Sequence, residues 1–247
     1  MPHLQFLHVT HDGGPVPYSP AWDLQRRLHA QRAAGEIEDT VVLLQHESVF
    51  TAGKRTEAKD RPWDGTPVVE VDRGGKITWH GPGQLTGYPI VALPDGVYVV
   101  DYVRRLEAAI IAVCADLGLA AARVAGRSGV WLPGTPERKV AAVGIRVAKG
   151  VTMHGFAINC DCDLSWFSRI VPCGISDASV TSLSAELDRP VTVAEVAPLV
   201  ERRLYEVLGA EAIARATLDL ASGEPAPIAS GQPDATRVWA TRVGAAR

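Results

Sequence analysis

The chain has 247 residues, 47% of them hydrophobic and 21% charged, the balance of a globular domain rather than of a disordered chain. A formal net charge of −3 and a pI near 6.2 speak against a nucleic-acid binder, so protein or metabolite partners are expected. Four cysteines in a chain of this length make no disulfide framework, which leaves each thiol to be weighed as core filler, metal ligand or nucleophile.

Residues 4–9 and 40–45 read as strands on either side of a helix from about Pro20 to Ala34, with Ser19 as its cap, Pro20 in its first turn and Gly35 as its stop. Short β-like runs follow near 68–71, 75–79 and 87–93. A second helix from about Val99 to Leu117 places Val103, Leu106, Ile110 and Cys114 on one core-facing stripe. After a run at 128–132 comes a hairpin: Val140–Val147 alternates, Lys149-Gly150 turns, and Val151–Ile158 returns. That register sets Gly144 opposite Gly155, leaving a gap for a narrow apolar ligand or another backbone, and Lys139 opposite Cys160.

Thr192 and Glu195 have capping-box spacing and open a third helix that ends at Gly209. Beyond about Arg215 the periodicity stops, so residues 1–215 read as one catalytic domain and 216–247 as a largely flexible tail. Strands and helices alternate irregularly, which predicts an α+β fold with a mixed sheet flanked by helices. No run approaches the roughly 20 apolar residues of a membrane helix. The start, Met1-Pro2-His3, lacks a charged leader with an apolar core, so no membrane contact and a cytoplasmic location are expected.

Two segments invite chemistry. Arg73–Gln84 packs four glycines and a proline around a short strand, and such loops let a ligand approach the backbone and its amides, although a structural turn accounts for them equally well. Cys173 sits between Pro172 and Gly174 in a turn able to present a thiol to a cleft. Only the thiolate is nucleophilic, so a base is needed; Lys139, at the start of the hairpin, is a candidate if burial keeps its amine neutral. Cys114 belongs to a helix core. Cys160, near Lys139 in the expected register, competes with Cys173 on spacing alone. Cys160, Cys162, Cys173 and His154 also make a conceivable zinc set, but no Cys-x-x-Cys pair supports it. His46, His80 and His154 stand beside glycine-rich or strand-end segments and are candidates for a pocket lining.

Four blocks, in order, resemble the lipoyl(octanoyl)transferase family: Gln45–Gly53, Arg73–Gln84, Lys139–Ile145, and His154–Asn159 running on to Pro172-Cys173-Gly174-Ile175. The resemblance covers about residues 5–210. It implies the fold of biotin and lipoate protein ligase catalytic domains, an acyl-thioester nucleophile at Cys173, and Lys139 as the residue that lowers its pKa. It implies substrate-binding segments at Arg73, Gly74, Gly75, Lys76, Ile77, Thr78, Trp79 and His80, at Ala142, Val143 and Gly144, and at Gly155, Phe156 and Ala157, with His46, His154 and Asn159 near the pocket. Phe156 and the long C-terminal segment depart from the family pattern.

The implied donor is octanoyl-acyl carrier protein. The implied acceptors are lipoyl domains of 2-oxoacid dehydrogenases and the glycine cleavage H protein, with no metal and no cofactor. Because thioester to amide runs downhill, ATP is not required. Lys54, Arg55, Lys59 and Arg61 are candidates for a basic rim facing an acidic carrier, interrupted by Glu57 and Asp60. An ATP-dependent lipoate ligase and a non-catalytic lipoyl-domain binder are the alternative readings.

Overall fold

The computed structural model describes residues 3–170 and 179–222. Its strands are β1 (His3–Thr10), β2 (Asp39–Leu44), β3 (Val49–Ala52), β4 (Val68–Glu70), β5 (Thr78–His80), β6 (Gln84–Ile90), β7 (Ala122–Val124), β8 (Arg127–Leu132), β9 (Arg138–Ala148), β10 (Val151–Asn159), β11 (Ser179–Val180) and β12 (Ala212–Asp219). The helices are α1 (Tyr18–Ala33), α2 (Val99–Asp116), α3 (Leu183–Leu187) and α4 (Val193–Leu208).

The main sheet runs β12-β1-β2-β6-β10-β9-β8-β7, with β11 also paired to β9, and β4-β3-β5 form a small second sheet. β1 lies parallel to both β2 and β12, and β11 parallel to β9, while β6, β10, β9, β8 and β7 form an antiparallel series. The sheet is therefore mixed, as the irregular alternation of elements implied.

Strand period explains the layering. In β2 every second residue changes face: Val41 and Leu43 join the core beneath α2 and α4, whereas Val42 and Leu44 join the core beneath α1. α2 contributes Leu106 and Ile110 to the first core and α4 contributes Val200 and Leu204, while α1 contributes Leu24 and Leu28 to the second. α4 has the expected ends: the Thr192 hydroxyl accepts from Glu195 N–H, and Gly209 closes the helix at φ 69°.

Two local expectations are corrected. α1 starts at Tyr18 after Pro17, and no side chain caps it, so Ser19 lies inside the first turn. Burial of the Tyr18 ring, 6% exposed, fixes that start where a cap does not, and Pro20 still falls among the four N–H positions that lack an intrahelical partner. The tail boundary at 215 cuts through β12, in which Ala216–Asp219 pair with Leu7–Thr10. Alanine, arginine and aspartate give this segment weak strand propensity, and it is the open edge of β1 that orders it. The remainder of the expected tail, 223–247, lies outside the described residues.

The hairpin register is the expected one from Val151↔Ala148 through Gly155↔Gly144 to Ile158↔Ala141. Lys139 opposite Cys160 does not follow. Cys160 N–H turns to Gly83 O at 3.1 Å, and Lys139 pairs with Trp131 on one side and Val180 on the other.

Candidate active site

On the α1 side of the sheet a cavity of about 390 Å³ lies between β9, β10, the glycine-rich segment and the β7–β8 turn. Its floor is a trough of small residues on neighbouring strands, Ala142 and Gly144 beside Ala157 and Gly155. Alternation alone would turn Lys139 to the opposite face from Ala142. Between the pairs Val130↔Ala141 and Trp131↔Lys139, however, β9 carries one residue more than β8, and this bulge at Val140 brings Lys139 onto the cavity face. Lys139 is only 6% exposed, with Nζ 4.5 Å from the centroid of the Trp131 ring.

The opposite wall is the segment from Arg73 to His80. Buried Arg73 organises it: Nη1 donates to Gly74 O (3.0 Å) and Lys76 O (2.8 Å), and Nη2 to Thr51 O (2.8 Å) and Thr51 Oγ1 (2.9 Å). Gly74 N–H bonds across to Ile145 O at 3.0 Å, so the gap left by Gly144 is approached by another backbone: a Cβ there would lie 3.1 Å from Gly74 O. Lys76 is held by Asp60 at 3.0 Å and Glu57 at 3.2 Å.

Gly74, Gly75, Lys76, Ile77, Thr78 and His80 line the cavity, as do Val143, Phe156 and Arg73 itself. Trp79 does not. Between Thr78 and His80 the strand period sends its indole to the other side, buried against Phe50 and Phe167 and stacked on Trp166 at 6.0 Å.

The histidines have assignable tautomers. Gln84 Nε2 donates to Trp79 O (3.2 Å) and Asn159 Oδ1 (2.9 Å), so its Oε1 accepts from His80 Nδ1–H at 2.8 Å and leaves Nε2 as an acceptor. Burial, with His46 and Arg73 nearby, holds this imidazole well below its usual pKa and therefore neutral. His46 lies behind the lining, with Nδ1–H on Val16 O at 2.9 Å and Nε2 accepting from Tyr88 OH at 2.6 Å; burial lowers its pKa to about 4. His154 lines the cavity with Nε2 on Asp72 at 2.7 Å, and Asp72 is also paired with Arg146. Asn159 is away from the lining and ties Gln84 to Thr181 O.

Tyr18, Tyr88, Gly126 in the β7–β8 turn, and Arg127 and Ser128 at the start of β8 also line the cavity, and the sequence reading missed them. Only Gly126 and Gly129, closely spaced in a β-rich stretch, hinted at the turn. Of the expected basic rim, Lys59 pairs with Glu57 at 2.8 Å and Arg61 with Glu70, while Arg55 reaches the cavity.

Residues 17–204 match the family model of the lipoyl protein ligase A/B catalytic domain. An octanoyltransferase of Salinispora arenicola is 64% identical over 200 residues, covering 80% of this chain and 94% of its own. One from Mycobacterium tuberculosis H37Rv is 67% identical over 183 residues, covering 74% and 79%. The chain belongs to the octanoyltransferase family. Solved structures extend the likeness in fold alone. A bi-partite lipoate protein ligase of Thermoplasma acidophilum superposes with a TM-score of 0.63 at 16% identity, over 87% of this chain and 86% of that one. Lipoate-protein ligase A bound with ATP gives 0.62 at 17%, over 88% and 90%.

Three of this octanoyltransferase's cysteines are described, and burial disfavours the thiolate in each. Cys114 and Cys162 are pushed up to about 12 and Cys160 higher still. Cys173 lies outside the described residues. Among the described residues no three histidine, cysteine or carboxylate side chains are grouped to hold a metal ion, and no helix is long and apolar enough to cross a membrane.

Proposed function

We propose that the transferase carries the octanoyl group as a thioester on Cys173, with Lys139 as the base that takes the thiol proton. The supporting observation is the placement of Lys139: buried, turned by a bulge into a cavity floored by small side chains, and paired with β11, which begins six residues after Cys173 in the sequence. The raised pKa values of the other three thiols favour the same choice.

Octanoyl transfer in protein lipoylation is the activity of the family, and it calls for an acyl donor and a lipoyl-domain acceptor. In the first half-reaction Cys173 sulfur attacks the carbonyl of octanoyl-acyl carrier protein, the carrier's pantetheine sulfur leaves, and the proton held by Lys139 returns to it. In the second, the neutral amine of an acceptor lysine attacks the acyl-enzyme, an amide forms, and the Cys173 thiol is regenerated. One thioester replaces another and then gives way to a more stable amide, so neither ATP nor a cofactor is consumed. Backbone amides of Cys173 and of the segment around Gly75 are placed in this reading as the oxyanion donors. The acceptors proposed are lipoyl domains of 2-oxoacid dehydrogenases and the glycine cleavage H protein, met in the cytoplasm.

Transfer from octanoyl carrier protein to a purified lipoyl domain without ATP tests this directly. Lys139→Ala is expected to lower the rate by about 10²- to 10⁴-fold. Transfer that instead requires free octanoate and ATP would put the ligase alternative in its place.

A further inference from the structure

The carboxylate of Glu107, on α2, has no exposed surface. Its Oε2 accepts from Arg104 Nη1 at 2.8 Å and Arg123 Nε at 3.2 Å, and its Oε1 accepts from the buried N–H of Gly129 at 2.9 Å. Burying a carboxylate is costly even when paired, and an apolar side chain of similar size would fill the same space beside Leu106 and Ile110 without that cost. Arg104 and Arg123 are part-exposed and keep water as a partner without it, so the buried group that depends on this carboxylate for an acceptor is the Gly129 N–H.

Gly129 needs one. It lies beside the bulge at Val140, where the β8–β9 ladder is interrupted, so Glu107 takes the place of a strand partner. Its φ of 107° is one that L side chains rarely adopt, and a Cβ there would stand 2.5 Å from Ala141 O and 3.4 Å from Lys139 Cε. The Gly129 backbone is thus packed against the stem of Lys139, whose amine end is bounded by Trp131. The residues just before it, Gly126-Arg127-Ser128, form the cavity wall beside that lysine.

We infer that Glu107 is a positioning residue for Lys139: from the far face of the sheet it pins Gly129, and Gly129 fixes where the lysine amine stands in the cavity. Glu107 touches no reacting atom. The inference rests on the reading of Lys139 as the base for Cys173.

The test compares wild type, Glu107→Gln, Glu107→Leu, Arg123→Ala and Lys139→Ala for the rate of acylation from octanoyl carrier protein and for the pH dependence of Cys173 alkylation by iodoacetamide, with melting temperature as the control for folding. Glu107→Gln keeps an acceptor for Gly129, and Arg123→Ala keeps the whole carboxylate, so both are expected to leave the thiol titration where it is. Glu107→Leu is expected to acylate about 10- to 100-fold more slowly with little change in KM, and to move the thiol titration toward that of Lys139→Ala. If Glu107→Leu does not fold, Glu107→Asp, which keeps the charge and withdraws the acceptor by one methylene, carries the same expectation. A folded Glu107→Leu or Glu107→Asp enzyme with wild-type acylation and titration overturns the inference while the Cys173–Lys139 pair stands. A wild-type enzyme that forms no adduct overturns the pair and the inference together.

Discussion

The two walls of the cavity are held by different physics. The floor is part of the main sheet, where Ala142, Gly144, Gly155 and Ala157 are fixed by the β9–β10 ladder and by neighbouring strands on both sides. The facing wall is laddered only at its end, where β5 pairs with β3; before Thr78 it is a loop, and one buried guanidinium ties two of its carbonyls, Gly74 O and Lys76 O, to Thr51 on β3. A ladder spreads the load over many backbone groups, so the floor is vulnerable to steric intrusion. The loop concentrates it in one side chain and is vulnerable to that side chain's loss.

Substitutions can set the two walls against each other. The largest effect is expected at Gly155, where a Cβ would lie 2.1 Å from Gly87 O and 2.6 Å from Pro89 Cδ. Gly155→Ala must push two strands apart and should cost roughly 4 kcal/mol or more, read as loss of the cooperative urea transition. Acid should act next, through the buried histidine behind the loop. The unfolded chain takes up a proton at His46 near pH 6.5, whereas the folded chain resists until about 4. Stability present above pH 6.5 is therefore lost as the pH falls toward 4, by about 3 kcal/mol for this group. His46→Gln should flatten that part of the pH profile of urea midpoints, and an unchanged slope would contradict it.

Arg73→Lys is expected to cost about 2–3 kcal/mol, since an ammonium cannot reproduce the planar fork on three carbonyls and a hydroxyl. Its signature should be slower acylation in a protein that still folds. Gly144→Ala, whose Cβ would be 3.1 Å from Gly74 O and 3.3 Å from Arg73 Cδ, should cost about 1 kcal/mol or less, because the loop can yield by a few tenths of an ångström. If Gly144→Ala proved as damaging as Gly155→Ala, the contrast between a rigid floor and an adaptable wall would fail.

What could be read in advance follows the same division. The β9–β10 register was legible because Lys149-Gly150 fixes a two-residue turn and strict alternation does the rest. α4 was legible because Thr192 and Gly209 act on their own backbone neighbours. The bulge at Val140 was not, since it exists only between β9 and β8, and without it the direction of Lys139 cannot be derived from spacing. Tyr18 and Tyr88 gave no signal because an aromatic residue on an apolar face reads as core, and their place in the lining depends on His46 and His80 closing around them. The Trp79 expectation came from treating Arg73–His80 as one binding segment, whereas the strand period divides it. Glu107 gives no signal in the sequence, because its partner Gly129 lies on another element.

The most direct test of the account is intact-mass spectrometry of the protein after incubation with octanoyl carrier protein in the absence of ATP, with Cys173→Ala alongside. An adduct of about 126 Da is expected on the wild-type chain and none on the variant. The same adduct on Cys173→Ala would place the acyl group on another residue and contradict it.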